Sequence, residues 1–324
     1  MNASYDKNTA IVVLPRVLAG RLQDNALHAW LAQSDLTDEA GPKELLARVV
    51  QELGVPYPDT GFAALRMWGQ TGDRPTNWIA AADPVYLEPQ LDKLCLHTFA
   101  DGDVTPAELR ALIDHLQHSL ASDQSIGFTR LGACGYVSSR TPIATAQMPA
   151  NVVDQQNPEA FLPAGDDKAT HRNLIGEIEM ALHEHEVNIE RESDGKQLVN
   201  SLWLWGGGVA PEQITQPQPP LFADDPLLTG YWYAATGVAE PWPGSIANCL
   251  QASVGGFVAV VPESEDNSEM LESSLEELRH ALRSGRLSHL MLLFRDGLRA
   301  DVQRSHALRI WRRSSPLLTA PAGE

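Results

Sequence analysis

Cysteine is scarce in this chain: three residues (Cys95, Cys134, Cys249) among 324, with no C-x-x-C pair. An odd count excludes a fully paired disulfide framework and fits a reducing compartment. Positive charge is also short, because 24 Lys and Arg face 42 Asp and Glu, a formal net charge of −18. That balance argues against broad nucleic-acid affinity, which requires cations to displace phosphate counterions. No apolar run reaches the length of a membrane span. The opening MNASYDKNTAIVVLPR lacks the basic start and long apolar block of a secretory leader. The expectation is a cytoplasmic protein with neither a nucleic-acid nor a membrane partner. The chain also lacks a G-x-S-x-G elbow, a P-loop, a dinucleotide-type G-x-G-x-x-G and any internal repeat. Against the acidic trend stands a late basic cluster, Arg299, Arg304, Arg309, Arg312 and Arg313. It reads as a solvated strand face, with an acidic partner as the alternative.

What is present alternates between strand and helix. Residues 10–14 (AIVVL) are a short apolar run without alternation, the mark of a strand buried on both faces. Helical spacing follows over 22–31 and over 43–53, the second stopped by Gly54. Residues 78–87 and 91–98 read as strands of a hairpin. Thr105, Pro106 and Glu108 fit the N-cap, first-turn and capping-box positions of a helix that places Leu109, Leu112, Ile113, Leu116 and Leu120 on one face. A second hairpin is expected over 125–131 and 134–138, around Gly132. Residues 140–168 are irregular, a lid or a boundary. A helix is expected from Thr170, strands over 254–261, 290–294 and 308–311, and a helix over 268–282 ending at Gly285. Strands alternating with helices at both ends imply α/β architecture, and the hairpin–helix–hairpin middle implies an inserted α+β part.

The most informative stretch is residues 183–208, HEHEVNIERESDGKQLVNSLWLWGGG. Helical spacing closes, a polar turn follows, and a strand over 199–205 runs into Gly206, Gly207 and Gly208. Three glycines at a strand's carboxyl end let backbone approach closely, either to a ligand, as open α/β sheets allow, or simply within a tight turn. The order His185, Asn188, Arg191, Gly195, Asn200 and WLWG resembles a segment of archaeal-type cofactor-independent phosphoglycerate mutases. ADPVYL at 82–87, GEIEMALHEHEVN at 176–188 and VNSLWLWGGG at 199–208 resemble more closely still a bacterial group of mutase-like regulatory proteins of the RpfE type. Glu186 departs from that pattern, which has proline there. The resemblance spans roughly residues 78–240.

This resemblance implies an alkaline-phosphatase-like α/β core sheet with helices on both faces, split by an inserted α+β cap. The expected boundaries are 1–77 and 196–324 for the core and 78–195 for the cap, with the WLWG strand returning the chain to the core. The mutases require two divalent metal ions and a transiently phosphorylated serine. Their early strand ends in D-G-x-G-D, whereas residues 11–20 here read IVVLPRVLAG, with Pro15 and Arg16 where acidic ligands would stand. The late stretch HLMLLFRDGLRADVQRSH keeps Asp296, Asp301 and His306 without the D-x-x-G-H spacing. His183 and His185 lie about 200° apart on a helix and cannot share an ion there. His97, His115, His118, His280 and His289 have no partner at a diagnostic spacing. No metal site, no cofactor and no catalytic residue is therefore assigned.

What is left is binding. Arg140, Arg172 and Arg191 offer guanidinium forks suited to phosphate or carboxylate, with His185, Asn188, Asn200 and Gly206–Gly208 alongside. Structural alternatives stand beside each. Arg172 and Arg191 can pair with Glu177, Glu190 or Glu192, and the asparagines can fix backbone in the turn. Cys134 reads as a nucleophile or as a small buried hydrophobe, and Asp83 as a general base or as turn chemistry. The leading expectation is a non-catalytic, mutase-like regulatory protein that binds a small anionic metabolite or a protein partner. The alternatives are a metal-dependent phosphomutase or phosphatase with rearranged ligands (Asp73, Asp83, Asp296, Asp301), and a structural partner using Trp232, Tyr233 and Trp242.

Overall fold

The computed structural model describes residues 8–17, 22–39, 44–91, 93–121, 125–165, 167–212, 218–263 and 267–319. Residues 18–20 of the early segment, residue 43 at the expected start of the second helix, residue 166 and residues 213–217 therefore lie outside the described residues. The chain forms two compact units, one from Met1–Tyr57 with Gln213–Glu324, the other from Pro58–Glu212.

The first segment supplies β1 (Thr9–Leu14), α1 (Asn25–Gln33), β2 (Asp35–Asp38) and α2 (Leu45–Leu53). The second unit follows with α3 (Phe62–Thr71), β3 (Trp78–Pro89), β4 (Leu94–His97), α4 (Pro106–Leu120), β5 (Ile126–Leu131) and β6 (Cys134–Ser139). It closes with α5 (Ala150–Val153), α6 (Asp167–His183), α7 (Glu186–Ser193) and β7 (Ser201–Gly208). The last segment gives β8 (Leu221–Phe222), α8 (Pro226–Ala234), β9 (Ala239–Glu240), α9 (Ile246–Ala252) and β10 (Phe257–Val260). It ends with α10 (Asn267–Ser284), β11 (His289–Phe294), β12 (Leu298–Gln303) and α11 (Pro316–Thr319).

The split unit is a seven-stranded sheet in the order β2-β12-β11-β1-β10-β8-β9. β1 runs parallel to both β10 and β11, β8 runs parallel to β10 and β9, and β12 and β2 close one edge antiparallel. Every residue of β1 is buried, as a central parallel strand covered on both faces requires. Ala10, Val12 and Leu14 share a core with Leu27 and Leu31 of α1, Cys249 of α9 and Leu271, Leu275 and Leu278 of α10. Ile11, Val13, Val258 and Leu293, which alternation turns to the other face, are equally buried. Each such side chain contributes about 1.5–3 kcal/mol on leaving water.

The inserted unit is antiparallel. β3 is its long central strand, pairing β6 along its first half, β4 along its last residues and β7 on its other side. The capping box of α4 forms as its sequence expects, with Thr105 Oγ1 accepting from Glu108 N and Glu108 Oε2 accepting from Thr105 N. Leu109, Leu112, Ile113 and Leu116 then pack with Ile178 and Leu182 of α6 onto Ala82, Val137 and Leu204 of the sheet. The mixed α/β core interrupted by an α+β unit is the expected architecture.

Its boundaries differ from the expected 77/78 and 195/196. The WLWG strand stays in the insertion, where Leu202, Trp203, Leu204 and Trp205 pair with Pro84, Asp83, Ala82 and Ala81. Strand pairing with β3, invisible to a local pattern, outweighs the both-sides-apolar signal that suggested a core strand. α3, β2 and α9 were not expected, and the expected strand 308–311 is not one. The last strand is β12, and Leu308, Ile310 and Trp311 lie exposed beyond a 3-10 turn at Arg304–Leu308. Trp232 is fully buried, its indole N–H donating to Pro219 O, so it is packing and not an interface aromatic.

Candidate functional site

The carboxyl ends of parallel strands are where open α/β sheets hold ligands. In the split unit those ends carry Arg16 after β1, Glu263 after β10, and Arg295 and Asp296 after β11. Arg16 Nε stands 3.5 Å from Glu263 Oε1 and Arg295 Nε 3.9 Å from Glu263 Oε2, so two guanidinium groups converge on one carboxylate. Arg295 Nε is buried and makes no hydrogen bond among the described residues. Asp296 Oδ2 accepts from Val17 N at 2.7 Å and fixes the turn after β1. A pair of divalent cations wants converging carboxylates and imidazoles. Among the described residues no set of three such donors gathers at this end. The donor set does not fit a two-metal centre: two cationic forks repel a dication and attract an anion.

Among the described residues the alternative ligand aspartates join no such set within their own unit. Asp73 and Asp83 belong to the inserted unit and Asp296 and Asp301 to the split one. Asp83 takes both oxygens to Arg66 Nη1, at 2.8 and 3.0 Å, and Oδ2 also accepts from Trp205 Nε1. Asp301 accepts from His289 at 2.9 Å across the β11–β12 ladder, and that hydrogen bond holds its carboxyl below the usual range.

In residues 183–208 the structure gives nearly every expected site residue an internal partner. His185 ends the helical run and caps α7, its Nδ1 accepting from Val187 N, so the single helix expected through His183 and His185 breaks between them. Burial and the nearby His115, whose ring meets it edge-on at 4.9 Å, lower the pKa of the His185 imidazole. Asn188 clamps the polar turn: its amide donates to Leu182 O and Val199 O and accepts from Val199 N. Arg191, 1% exposed, donates to Gln197 O, Asp103 O and Glu108 Oε1 and covers the Phe99 ring. Asn200 clips β7 to β3 through both backbone groups of Leu87. Arg172 pairs with Glu159 at 2.9 Å, and Arg140 lies exposed where its backbone N–H joins Ser125 O.

The three glycines serve close packing within the unit. A Cβ on Gly206 would lie 2.9 Å from Phe62 Cβ of α3, and one on Gly207 would lie 2.6 Å from the Trp78 ring. The free edge of β7 is occupied by the irregular segment: Ala146 N donates to Leu204 O and Gly206 N to Ala146 O. Trp203 Nε1 donates to Met148 O and Gly207 N to Thr145 Oγ1. This part of 140–168 is therefore a packed loop.

The same unit has an open groove of about 930 Å³ beside a smaller cavity of about 210 Å³, both walled by Leu87, Leu94, Arg172, Gly176 and Glu179. Glu179 accepts from Ser201 Oγ at 3.2 Å, and burial raises its pKa. With Glu177 and Glu179 beside an Arg172 already paired to Glu159, the groove is acidic on balance and does not favour an anion. Sequence reasoning missed this groove, since its walls come from β3, β4, α6 and Asn200, which are distant in the chain. It also missed Arg66, whose burial among Asp83, Tyr136 and Trp205 no motif announces.

Comparison with known proteins locates the resemblance. No family model matches the chain. It is 35% identical over 121 residues to 2,3-bisphosphoglycerate-independent phosphoglycerate mutase 2 of Methanothermobacter thermautotrophicus, a match covering 35% of this chain and 29% of that protein. It is 28% identical over 119 residues to the corresponding mutase of Methanosarcina mazei, covering the same shares. A probable mutase of Geobacter sulfurreducens matches at 27% over 141 residues, 40% of this chain and 33% of that protein. The chain thus spans about a third or less of the curated relatives it matches. Among solved structures, a Pyrococcus horikoshii protein aligns over 89% of this chain and 81% of its own at TM-score 0.50 and 12% identity, a likeness of fold. The cofactor-independent phosphoglycerate mutase of Thermoplasma acidophilum aligns over 91% and 89% at TM-score 0.41 and 16% identity. The chain is therefore similar, over part of its length, to archaeal-type cofactor-independent phosphoglycerate mutases, and its fold is the mixed α/β one with an inserted unit.

Proposed function

We propose that this chain is a phosphoglycerate-mutase-like regulatory protein of the bacterial RpfE type that binds a small anionic metabolite and does not carry out two-metal phosphoryl transfer. One observation carries the reading: Arg16 and Arg295 converge on Glu263 at the carboxyl ends of β1, β10 and β11. A phosphate or carboxylate entering there replaces Glu263 as the shared partner and satisfies the idle Arg295 Nε. Fold likeness alone does not transfer activity when the donors at the site differ. Arg191, fully engaged inside the inserted unit, is not a ligand residue in this reading, and neither is Arg172.

The test pairs an activity assay with a binding assay on the whole protein. With Mn²⁺ or Mg²⁺ present, 2- and 3-phosphoglycerate are expected not to interconvert. Phosphoglycerate is expected to raise the melting temperature, and Arg16→Ala with Arg295→Ala to abolish that rise. Turnover in the first assay would refute the reading and restore a rearranged metal-dependent phosphomutase.

A further inference from the structure

Three metal-type donors meet in the inserted unit, on the opposite face of the hairpin from the groove. Glu88 lies directly opposite Cys95 in the β3–β4 ladder, and His97 is two residues further along β4. Side chains two apart on a strand share a face, and so do directly opposed residues, so all three project from the same side of the hairpin. One oxygen of Glu88, the sulfur of Cys95 and one ring nitrogen of His97 lie within 4.8 Å of one another. His97 Nε2 is already 3.1 Å from Glu88 Oε2, a spacing typical of two ligands on one small cation. Cys95 is 8% exposed, whereas the side chains of His97 and Glu88 are 28% and 46% exposed. The sulfur therefore forms a buried floor and the other two donors open to solvent, which provides an entry path.

We propose that Glu88, Cys95 and His97 form a site for a borderline-soft divalent cation, Zn²⁺ being the natural occupant. The donor set decides the class. Thiolate and imidazole select zinc-like over magnesium-like ions, and three protein ligands leave a fourth tetrahedral position for water. On binding, the Cys95 S–H proton passes to solvent and a sulfur–metal bond forms; no electron is transferred. The hairpin is held for this purpose from outside the ladder. Leu96 N donates to Gln156 O and Gln155 N to Leu96 O, while Thr98 N donates to Asp154 Oδ1. The next residue of β3, Leu87, turns to the opposite face and lines the groove, so a metal on one face would brace the wall of the groove on the other.

Sequence spacing hid the site because Cys95-x-His97 is only half of it. The third donor arrives through the hairpin register, seven positions upstream.

The test is titration of the metal-free full chain with Zn²⁺, and with Co²⁺ as a spectroscopic substitute. The expected result is one ion per chain, with thiolate-to-cobalt charge-transfer absorption and proton release. Cys95→Ser is expected to remove that absorption. His97→Ala and Glu88→Gln are expected to weaken Zn²⁺ binding by more than about 100-fold, since even outer-shell partners change affinity about 10–100-fold. Circular dichroism of each variant confirms that it folds. Absence of stoichiometric binding in the wild-type chain would overturn the proposal, as would folded variants that bind like wild type. Cobalt absorption that survives Cys95→Ser would do so too, by placing the metal on another cysteine.

Discussion

Arg66 in the inserted unit and Glu44 in the split core are both buried, 8% and 6% exposed, yet each meets the cost of burial differently. Burial opposes the charge on Arg66, and the bidentate Asp83 carboxylate more than restores it, so the guanidinium stays ionised. Tyr136 Oη accepts from its Nε and Gly135 O from its Nη2, and the Tyr136 and Trp205 rings stack over it. Among the described residues Glu44 has no cationic partner of that kind. It caps α2 by accepting from Leu46 N and Ala47 N, and burial raises its pKa from 4.5 to about 7. Arg66 meets burial with a counterion, which makes its arrangement insensitive to pH. Glu44 meets it with a proton, which makes it sensitive near neutrality.

The strongest way to break this comparison is Arg66→Met. It leaves Asp83 with only Trp205, and removing one member of a buried pair costs about 3–5 kcal/mol, read by denaturant unfolding. Combining it with Asp83→Asn should recover part of that loss; a loss below about 1 kcal/mol would make the pair equivalent to a surface one.

A pH series on Glu44→Gln sharpens the other half. The folded state holds the Glu44 proton more tightly than the unfolded chain, so this contribution is fully present below about 4.5 and is lost as pH rises through 7. Wild type should lose about 3 kcal/mol relative to the glutamine variant across that window. Parallel pH profiles would show that Glu44 ionises freely in the fold.

The smallest effect is expected from Gly206→Ala. Gly206 sits at φ 64° with Phe62 Cβ 2.9 Å from where its own Cβ would be, so crowding and backbone strain should together cost about 1–3 kcal/mol. A variant of unchanged stability that loses ligand binding would return the glycine triplet to a ligand role.

Much of the fold was legible because it is local. β1, the Thr105–Glu108 capping box, both hairpins and Gly54, which ends α2 at φ 64°, each depend on residues within a few positions of one another. α3 was missed because its N-cap is Gly61, with no side-chain cap to announce it. The expected strand at 308–311 failed because an arginine-rich, half-apolar stretch carries no period of its own; Arg309 and Arg312 turn to Asp35 instead. The candidate site was less legible. The segment that stood out most, His185 to Gly208, supplies internal clamps: Asn188 and Arg191 meet backbone groups that the local turn leaves open, and Asn200 meets the backbone of Leu87 in β3.

The sequence by itself determined the α/β alternation, the split by an inserted α+β part, and the acidic balance; it also determined that Pro15 and Arg16 follow the first strand. These follow from composition, period and short motifs, which survive in one dimension. Only the tertiary structure decided that β7 belongs to the inserted sheet, that Arg16 and Arg295 share Glu263, and that Glu88 joins Cys95 and His97. Each of these depends on strand pairing or on the meeting of strand ends, which bring together residues 7 to 279 positions apart.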